Sequence, residues 1–180
     1  MAYVLVLGGV RSGKSRLAVE LAERSAAAVT FVATAQAGDA EMAGRIAAHR
    51  AERPGEWQTV EASRDLAVAV AAIEPARFVI VDCLTVWVAN RMLAGDEPAV
   101  ILAESRRLAD LLAARRGDAV VVSNEVGMGV HPSSELGRHY RDVLGTVNTT
   151  VAATARHAAL VVAGRVLPLA ATDRIDWFGR

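Results

Sequence analysis

The segment Gly8-Gly9-Val10-Arg11-Ser12-Gly13-Lys14-Ser15 is the most specific indication of fold in this sequence. It fits the phosphate-binding pattern G-x-x-x-x-G-K-[ST], in which a glycine-rich loop connects a strand to a helix. An apolar run over residues 3–7 comes directly before it, as expected of a strand buried on both faces. Leucines and alanines at helical spacing follow it over residues 15–28. The motif therefore stands where a phosphate-binding loop belongs; a glycine turn that merely joins strand to helix is the alternative interpretation.

Each part of the loop has a physical role in binding a nucleotide. The glycines allow successive backbone N–H groups to point at phosphate oxygens, and the helix that follows adds the positive end of its dipole. Lys14 is then expected to contact the β- and γ-phosphates, while the Ser15 hydroxyl ligates Mg²⁺. Lys14 is the single lysine among 20 basic residues, the others being arginine. A lysine kept at this one position favours a site that needs a compact ammonium.

Strand and helix patterns alternate outward from the loop. Apolar runs predict strands over residues 3–7, 29–33, 57–61, 78–82, 119–123 and 160–163, and residues 166–169 can extend the sheet at an edge. Helical spacing predicts helices over residues 15–28, 39–53, 64–73, 84–93, 100–115 and 134–156. This alternation is typical of a mostly parallel sheet with helices on both faces. We therefore predict one α/β domain over residues 1–180, in which the tail 172–180 gives little signal.

The composition excludes several classes of protein. The formal net charge is zero, so no broad basic field favours binding to nucleic acid. The single cysteine, Cys83, excludes an internal disulfide framework and a cysteine-rich zinc site, and it is expected to be a small packed residue. No apolar run approaches the roughly 20 residues that span a bilayer, and the N-terminal residues lack the pattern of a signal peptide. We expect a cytoplasmic enzyme without a membrane span.

Two acidic residues follow predicted strands and are candidates for the site. Asp82 closes the apolar run over residues 78–82, where a carboxylate can lie near the Mg²⁺ of a bound nucleotide. Because a helix follows, a helix N-cap is the alternative role for Asp82. Glu125, within Ser123-Asn124-Glu125, lies at the carboxyl end of another strand, where ligands bind in open α/β sheets. It can position magnesium or a substrate hydroxyl, or it can be a solvated loop carboxylate.

A histidine on the predicted helix 39–53 is a weaker candidate. Glu41, Arg45 and His49 recur every four residues and share one face of that helix. A histidine on a polar helix face is usually solvated, so the spacing alone does not assign His49 a catalytic role. The sequence also lacks an Asn/Thr-Lys-x-Asp motif for reading guanine, since its only lysine lies in the loop.

Taken together, these segments resemble one family, the bifunctional adenosylcobinamide kinase / adenosylcobinamide-phosphate guanylyltransferases of cobalamin biosynthesis. The phosphate-binding loop is generic by itself. More specific are Glu41-Met42-Ala43 with Arg45-Ile46, His49 and Arg53-Pro54, then Asn124-Glu125-Val126-Gly127-Met128-Gly129, and Val147-Asn148. These segments come in the expected order, and the resemblance covers residues 3–169.

The resemblance implies a RecA-like P-loop fold, a homotrimer and two activities. ATP or GTP phosphorylates the aminopropanol hydroxyl of adenosylcobinamide, and GTP then donates GMP to the adenosylcobinamide phosphate, releasing pyrophosphate. The resemblance places a covalent guanylyl-histidine intermediate at His49, and Lys14 and Glu125 are the other predicted catalytic residues. Mg²⁺, held by Ser15 and Asp82, is the predicted cofactor. The nucleotide-binding residues predicted beyond the loop are Thr34, Arg53, Glu61 and Asp82.

Two other functions stay open at this point. A plain P-loop small-molecule kinase would use the same loop without guanylyl transfer, and His49 would then be an ordinary helix residue. A non-corrinoid regulatory or assembly nucleotide-binding protein would need no small-molecule acceptor, and a partner would stimulate its turnover. Of the three, the bifunctional enzyme alone predicts a covalent protein–GMP adduct.

Overall fold

A seven-stranded β-sheet organises the protein, whose computed structural model describes residues 3–38, 44, 47, 50–51 and 53–176. In chain order its strands are β1 (Tyr3–Gly8), β2 (Val29–Ala33), β3 (Gln58–Glu61), β4 (Phe78–Asp82), β5 (Ala119–Val122), β6 (His157–Val162) and β7 (Arg165–Leu169). The order across the sheet is β3-β2-β4-β5-β1-β6-β7. Neighbouring strands in this order are parallel, except for the antiparallel pair β6 and β7 at one edge. The predicted mostly parallel sheet with an added edge strand is confirmed.

Helices connect the strands and cover the sheet. They are α1 (Lys14–Arg24), α2 (Leu66–Ala71), α3 (Leu84–Leu93), α4 (Pro98–Ala114) and α5 (Glu135–Thr154), with a 3₁₀ helix at Thr172–Arg174. Within the predicted helix 39–53, the described residues Gly44, Ala47, Arg50 and Ala51 are helical. The rest of that prediction, Arg53 aside, lies outside the described residues. Among the residues that the structure describes, no helix is long and apolar enough to cross a membrane.

Two apolar cores lie on opposite faces of the sheet. Successive side chains of a strand point to opposite faces, so a buried strand contributes to both cores. On one face, Ala18 and Ala22 of α1 pack with strand residues such as Phe31. On the other face, α2 to α5 pack together around fully buried residues such as Leu84 and Leu144. Helices therefore cover both faces, and the α/β architecture predicted from the sequence is confirmed.

Several element boundaries differ from the prediction, among them one end each of α1, α4 and β6. Helix α1 ends at Arg24 and not at residue 28, because the chain turns at Ala26, whose φ is +53°, before it enters β2. Helix α4 begins at Pro98 and not at residue 100. Proline is tolerated in the first helical turn because its missing N–H has no partner there in any case. Strand β6 begins at His157 and not at residue 160, and it pairs with β1 from that residue onward.

The carboxyl ends of the parallel strands meet at one edge of the sheet. In register along that edge lie Glu61 of β3, Ala33 of β2, Asp82 of β4 and Val122 of β5. Strand β1, which pairs with β5, ends at the same edge with Gly8, and the glycine-rich loop follows it. The topology thus gathers residues from distant parts of the sequence at the edge where α/β sheets bind ligands.

Candidate active site

The loop after β1 winds tightly before it enters α1. The Ser12 N–H donates to Gly9 O at 3.3 Å, and the Leu17 N–H donates to Gly13 O at 3.0 Å as the helix begins. Gly13 has a φ of +104° and Arg11 a φ of +55°, so the chain passes through left-handed conformations. Mixed conformations of this kind direct successive backbone N–H groups to one side, next to the positive end of the α1 dipole. The loop can therefore bind an anion with its backbone.

The β6–β7 hairpin supports this loop from the side. At Gly8 a Cβ atom would lie 2.4 Å from Val161 O and 2.7 Å from Ser12 Oγ, so a side chain has no room there. The Gly164 N–H at the tip of the hairpin donates to Ser12 O at 2.9 Å. Ala163 and Gly164 both have positive φ values, as in the two-residue turns that join antiparallel strands. The hairpin tip thus holds the loop in place.

Lys14 is buried at the start of α1 and turns back over the loop. Its Nζ donates to Gly9 O at 2.6 Å and lies 3.5 Å from Ser12 Oγ. Burial lowers the pKa of Lys14, and the acidic groups of Cys83 and Asp82 oppose that shift. The ammonium therefore lies near both the loop and the end of β4, where it can contact phosphate oxygens that the loop holds.

Asp82 ends β4 and is half-buried between the neighbouring strands β2 and β5. The N-cap residue of α3 is Cys83, whose side chain makes no capping hydrogen bond. The alternative role of Asp82 as a helix N-cap is therefore excluded. The carboxylate lies at the same edge as Lys14, so its role as a ligand of nucleotide-bound Mg²⁺ stays a prediction that the geometry favours.

The two predicted magnesium ligands are oxygen donors at the start of α1 and the end of β4. Ser15 is half-buried in the first turn of α1, and hydroxyl and carboxylate oxygens are donors that Mg²⁺ prefers. In the described part of the chain, no three His, Cys, Asp or Glu side chains converge to hold a metal by themselves. Two protein oxygens fit a Mg²⁺ ion that binds together with nucleotide phosphates, since this ion usually keeps few protein ligands.

The other predicted nucleotide-binding residues lie around β2 and β3. Thr34 is fully buried, and its hydroxyl donates to Cys83 O and accepts from the Cys83 N–H, both at 2.8 Å. These bonds fix the turn that follows β4. Glu61 ends β3 with an exposed side chain. The Arg53 guanidinium lies 3.2 Å from the centroid of the Phe31 ring, on the sheet face that α1 covers.

Glu125 lies beside the phosphate-binding loop, just beyond the end of β5. Its N–H donates to Gly8 O at 3.2 Å. Its Oε1 accepts from the Gly127 N–H at 2.6 Å, so the carboxylate is directed toward its own loop. The backbone contact with Gly8 places Glu125 at the same edge as Lys14 and Asp82, while its catalytic role stays a prediction.

The structure brings several of the predicted site residues together. The loop, Lys14, Thr34, Asp82 and the Glu125 backbone meet at the carboxyl edge. Val10 is 82% exposed, so it contributes to the loop through its backbone. The catalytic candidate His49 lies outside the described residues.

Two contributors to the site were not predicted from the sequence. The first is the hairpin tip at Ala163 and Gly164, for which Ala-Gly between two apolar runs was an available turn signal. The second is Asn148 of α5, which belongs to a segment of the resemblance but had no predicted role. Its Nδ2 donates to Asn124 O at 3.0 Å, beside the residue predicted to be catalytic. A buried asparagine in an otherwise apolar helix face was the signal for it.

We expect the Cys83 thiol to react slowly with alkylating reagents. Burial, and then the negative charge of Asp82, raises its pKa from 9.0 to about 11. The burial that raises this pKa also restricts access to the thiol, so both effects slow its reaction. Two pKa units leave about 100-fold less thiolate at pH 8, and the thiolate is the reactive species. Iodoacetamide should therefore modify the folded protein about 100-fold more slowly than the same protein unfolded in urea.

Equal alkylation rates in the two states would contradict the raised pKa of Cys83.

The raised pKa of Cys83 also makes the stability of the protein depend on pH. Because the folded-state pKa is the higher one, the unfolded chain alone releases this proton between pH 9.0 and about 11. The free energy of unfolding should therefore fall as the pH rises through that window, and a Cys83→Ala variant should lose this part of the pH dependence.

Comparisons with known proteins find relatives over nearly the whole chain. The family described as cobinamide kinase / cobinamide phosphate guanyltransferase matches residues 4–169. The bifunctional adenosylcobalamin biosynthesis protein CobP of Pseudomonas aeruginosa is 45% identical over 166 residues, which cover 92% of this chain and 95% of that protein. The bifunctional adenosylcobalamin biosynthesis protein CobU of Escherichia coli is 41% identical over 174 residues, with 89% and 96% covered. Among solved structures, the RadB recombinase aligns with a TM-score of 0.48 at 17% identity, over 88% of this chain and 73% of that chain.

Proposed function

Because the chain belongs to the cobinamide kinase / cobinamide phosphate guanyltransferase family, we propose that it catalyses both of these reactions in cobalamin biosynthesis. The family inferred from the sequence motifs is thereby confirmed. The observation that supports the function most directly is the extent of the match, which runs over residues 4–169. It includes the phosphate-binding loop, the segment around His49 and the loop 124–129. A plain P-loop kinase would need the first of these and not the second.

In the kinase reaction, the loop and α1 bind the phosphates of ATP or GTP. Lys14 contacts the β- and γ-phosphates, which its Nζ can reach from its position over Gly9 O. The aminopropanol hydroxyl of adenosylcobinamide attacks the γ-phosphorus, the bond to the β–γ bridging oxygen breaks, and the nucleoside diphosphate leaves. Glu125 orients that hydroxyl and accepts its proton, as its place beside Gly8 supports. Ser15 and Asp82 would hold a Mg²⁺ ion, which would neutralise part of the phosphate charge.

In the guanylyltransferase reaction, His49 is the nucleophile. Its neutral imidazole attacks the α-phosphorus of GTP, the bond to the α–β bridging oxygen breaks, and pyrophosphate leaves. A phosphate oxygen of adenosylcobinamide phosphate then attacks the phosphorus of the guanylyl-histidine. The P–N bond breaks, which releases adenosylcobinamide-GDP and restores the imidazole.

One contact places the end of the motif that contains His49 on the α1 side of the sheet. Arg53, four residues after His49 in the sequence, lies against Phe31 of β2. Phe31 belongs to the core on the face that α1 covers. Arg53 is therefore on the same face of the sheet as the helix that begins with Lys14.

The other nucleotide-binding residues and the oligomeric state are part of the same proposal. Thr34 acts on the nucleotide site indirectly, because its hydroxyl is bonded to Cys83 and its N–H donates to Asp82 O at 3.1 Å, which fixes the end of β4. Glu61 has an exposed carboxylate at the end of β3, one strand away from Thr34, and it contacts the nucleotide directly. The homotrimer implied by the resemblance stays a prediction, as does the use of either ATP or GTP in the kinase reaction.

Product analysis with the purified protein tests the two activities separately. The protein is incubated with Mg²⁺, adenosylcobinamide and either ATP or GTP, and the corrinoids are separated by chromatography and identified by mass. We expect adenosylcobinamide phosphate with ATP, and adenosylcobinamide-GDP with an equal amount of pyrophosphate after GTP is added. Phosphorylated corrinoid without the GDP product would favour the plain kinase. No corrinoid product, together with nucleotide hydrolysis that a partner stimulates, would favour the regulatory protein.

A further inference from the structure

Asn148 is a buried amide in the apolar face of α5. Only 5% of the residue is exposed, and Leu144, Val147 and Val151 around it on the helix are completely buried. An amide in such a place costs stability unless both its donor and its acceptor have partners. The hydrogen-bond partners of this amide therefore show which part of the protein Asn148 holds in place.

Both partners of this amide lie where β5 ends. The Ser123 hydroxyl, itself completely buried, donates to Asn148 Oδ1 at 2.7 Å. Asn148 Nδ2 donates to the backbone oxygen of Asn124 at 3.0 Å. Because one end of the amide accepts and the other donates, its orientation is fixed by the two bonds. One side chain on α5 thus holds two consecutive residues of the segment that leads to Glu125.

The backbone of that segment is attached to strand β1 and to helix α3. The Ser123 N–H donates to Val6 O at 2.9 Å, and the Glu125 N–H donates to Gly8 O at 3.2 Å. Between them, the Asn124 N–H leaves the sheet and donates to Thr85 Oγ1 at 2.7 Å, on the helix that follows Asp82. The segment therefore bridges the phosphate-binding loop and the β4 side of the site. Asn148 supplies a third attachment, to helix α5.

We propose that Asn148 is a positioning residue that sets Glu125 relative to the phosphate-binding loop. It does so by holding Ser123 and Asn124, and it does not contact substrate itself. Its effect on catalysis rests on the proposed kinase reaction, in which Glu125 orients the acceptor hydroxyl. A displacement of about 1 Å at a reacting group can cost about 100-fold in rate, so such an attachment matters beyond stability.

The packing of α5 does not depend on this amide alone. Leu144, Val147 and Val151 already anchor the helix in the core, and the Tyr3 hydroxyl donates to Val151 O one turn further along. Removing one partner of a buried hydrogen bond leaves the other unsatisfied and costs stability, at Tyr3 as at Asn148. If Asn148 only stabilised the packing of α5, variants of Asn148 and of Tyr3 would have similar effects on activity. If Asn148 positions Glu125, only the Asn148 variants lose activity.

Two variants and one control distinguish these roles. Asn148→Leu removes both bonds, and Asn148→Asp keeps an acceptor for Ser123 while it sets a carboxylate oxygen against Asn124 O. Tyr3→Phe is the matched control, since it removes a buried hydrogen bond to the same helix far from the site. The readouts are amide hydrogen exchange at Asn124 and Glu125, followed by NMR, and the kcat and KM of corrinoid phosphorylation.

We expect exchange at these two amides to be at least about tenfold faster in both Asn148 variants and unchanged in Tyr3→Phe. We also expect kcat to fall about 10- to 100-fold while the KM for the nucleotide changes less than about threefold, because the loop still holds the phosphates. Combined with Glu125→Gln, an Asn148 variant should show less than the sum of the two separate losses, because both act on the same group.

Three results would overturn the inference: unchanged exchange at Asn124 and Glu125, faster exchange with a normal kcat, or the same kcat loss in Tyr3→Phe. A fourth result separates this inference from the proposed function. If the wild-type protein phosphorylates no corrinoid, the proposed function fails, while faster exchange in the Asn148 variants would still support the attachment of the segment and unchanged exchange would refute it.

Discussion

Replacing Lys14 with alanine is expected to abolish both the kinase and the guanylyltransferase activity, with a loss in kcat of at least about 100- to 1,000-fold. Both reactions break a bond in the triphosphate, and both need positive charge where negative charge develops. The Lys14 ammonium is buried, and its Nζ lies 2.6 Å from the Gly9 oxygen of the loop that binds those phosphates. No other lysine exists in the chain, so none can substitute for it. Steady-state kinetics of the two reactions measure the loss.

Two further variants test the specificity of this prediction. Lys14→Arg should lose nearly as much, since a planar guanidinium is larger than an ammonium and the position is buried. Arg16→Ala is the matched control: Arg16 lies one position past Ser15 on the exposed side of α1, where it pairs with Glu20 at 3.4 Å. A surface pair of this kind contributes little, so both activities should stay within about twofold. If Lys14→Ala turned over within about threefold of the wild type, the P-loop interpretation would be wrong.

The fold could be predicted because its signals are local. The alternation of apolar runs with helical spacing predicted the strands and helices, and α3 at Leu84–Leu93 was predicted with its observed bounds. The errors lie at element ends, where the tertiary structure decides. The alanine-rich stretch after Arg24 has high helix propensity, yet the chain must turn at Ala26 to reach β2.

The site was predictable where a motif is contiguous and not where it is assembled by the fold. The loop 8–15 is a single segment, so its position and chemistry could be inferred together. The bonds between Thr34 and Cys83 join residues 49 positions apart, and the bond between Ser123 and Asn148 joins residues 25 positions apart. No pattern within a helix or a strand encodes such contacts, because they depend on which elements the sheet brings together.

Asp82 and Glu125 illustrate the same limit. From the sequence, Asp82 could cap a helix or face a metal; the structure assigns the cap to Cys83 and removes the first alternative. Glu125 could be a solvated carboxylate or part of the site; its N–H bond to Gly8 O places its backbone at the loop. The pKa of Cys83 was likewise not readable from its neighbours, since burial by distant segments is its main cause.

Incubation with Mg²⁺ and GTP labelled at the α-phosphate is expected to attach the label covalently to His49. A guanylyl-histidine contains a P–N bond, which survives denaturation and alkali and is lost in acid. The label should be absent from His49→Ala, while the kinase activity of that variant stays within about threefold, because the phosphate-binding loop and Glu125 are unchanged. His139→Ala is the matched control, since His139 is an exposed histidine of α5 outside the site, and it should label fully. Gel electrophoresis after acid or alkali treatment measures the label.

The outcome of the labelling discriminates between functions, not only between residues. Label that depends on His49 and is released by adenosylcobinamide phosphate as adenosylcobinamide-GDP requires the two-step transfer, because a direct attack of the corrinoid on GTP leaves no adduct. Absence of label in folded protein that still phosphorylates the corrinoid would leave a plain kinase. Equal loss of kinase and transferase in His49→Ala would instead mean that His49 is structural or only positions the nucleotide for both reactions.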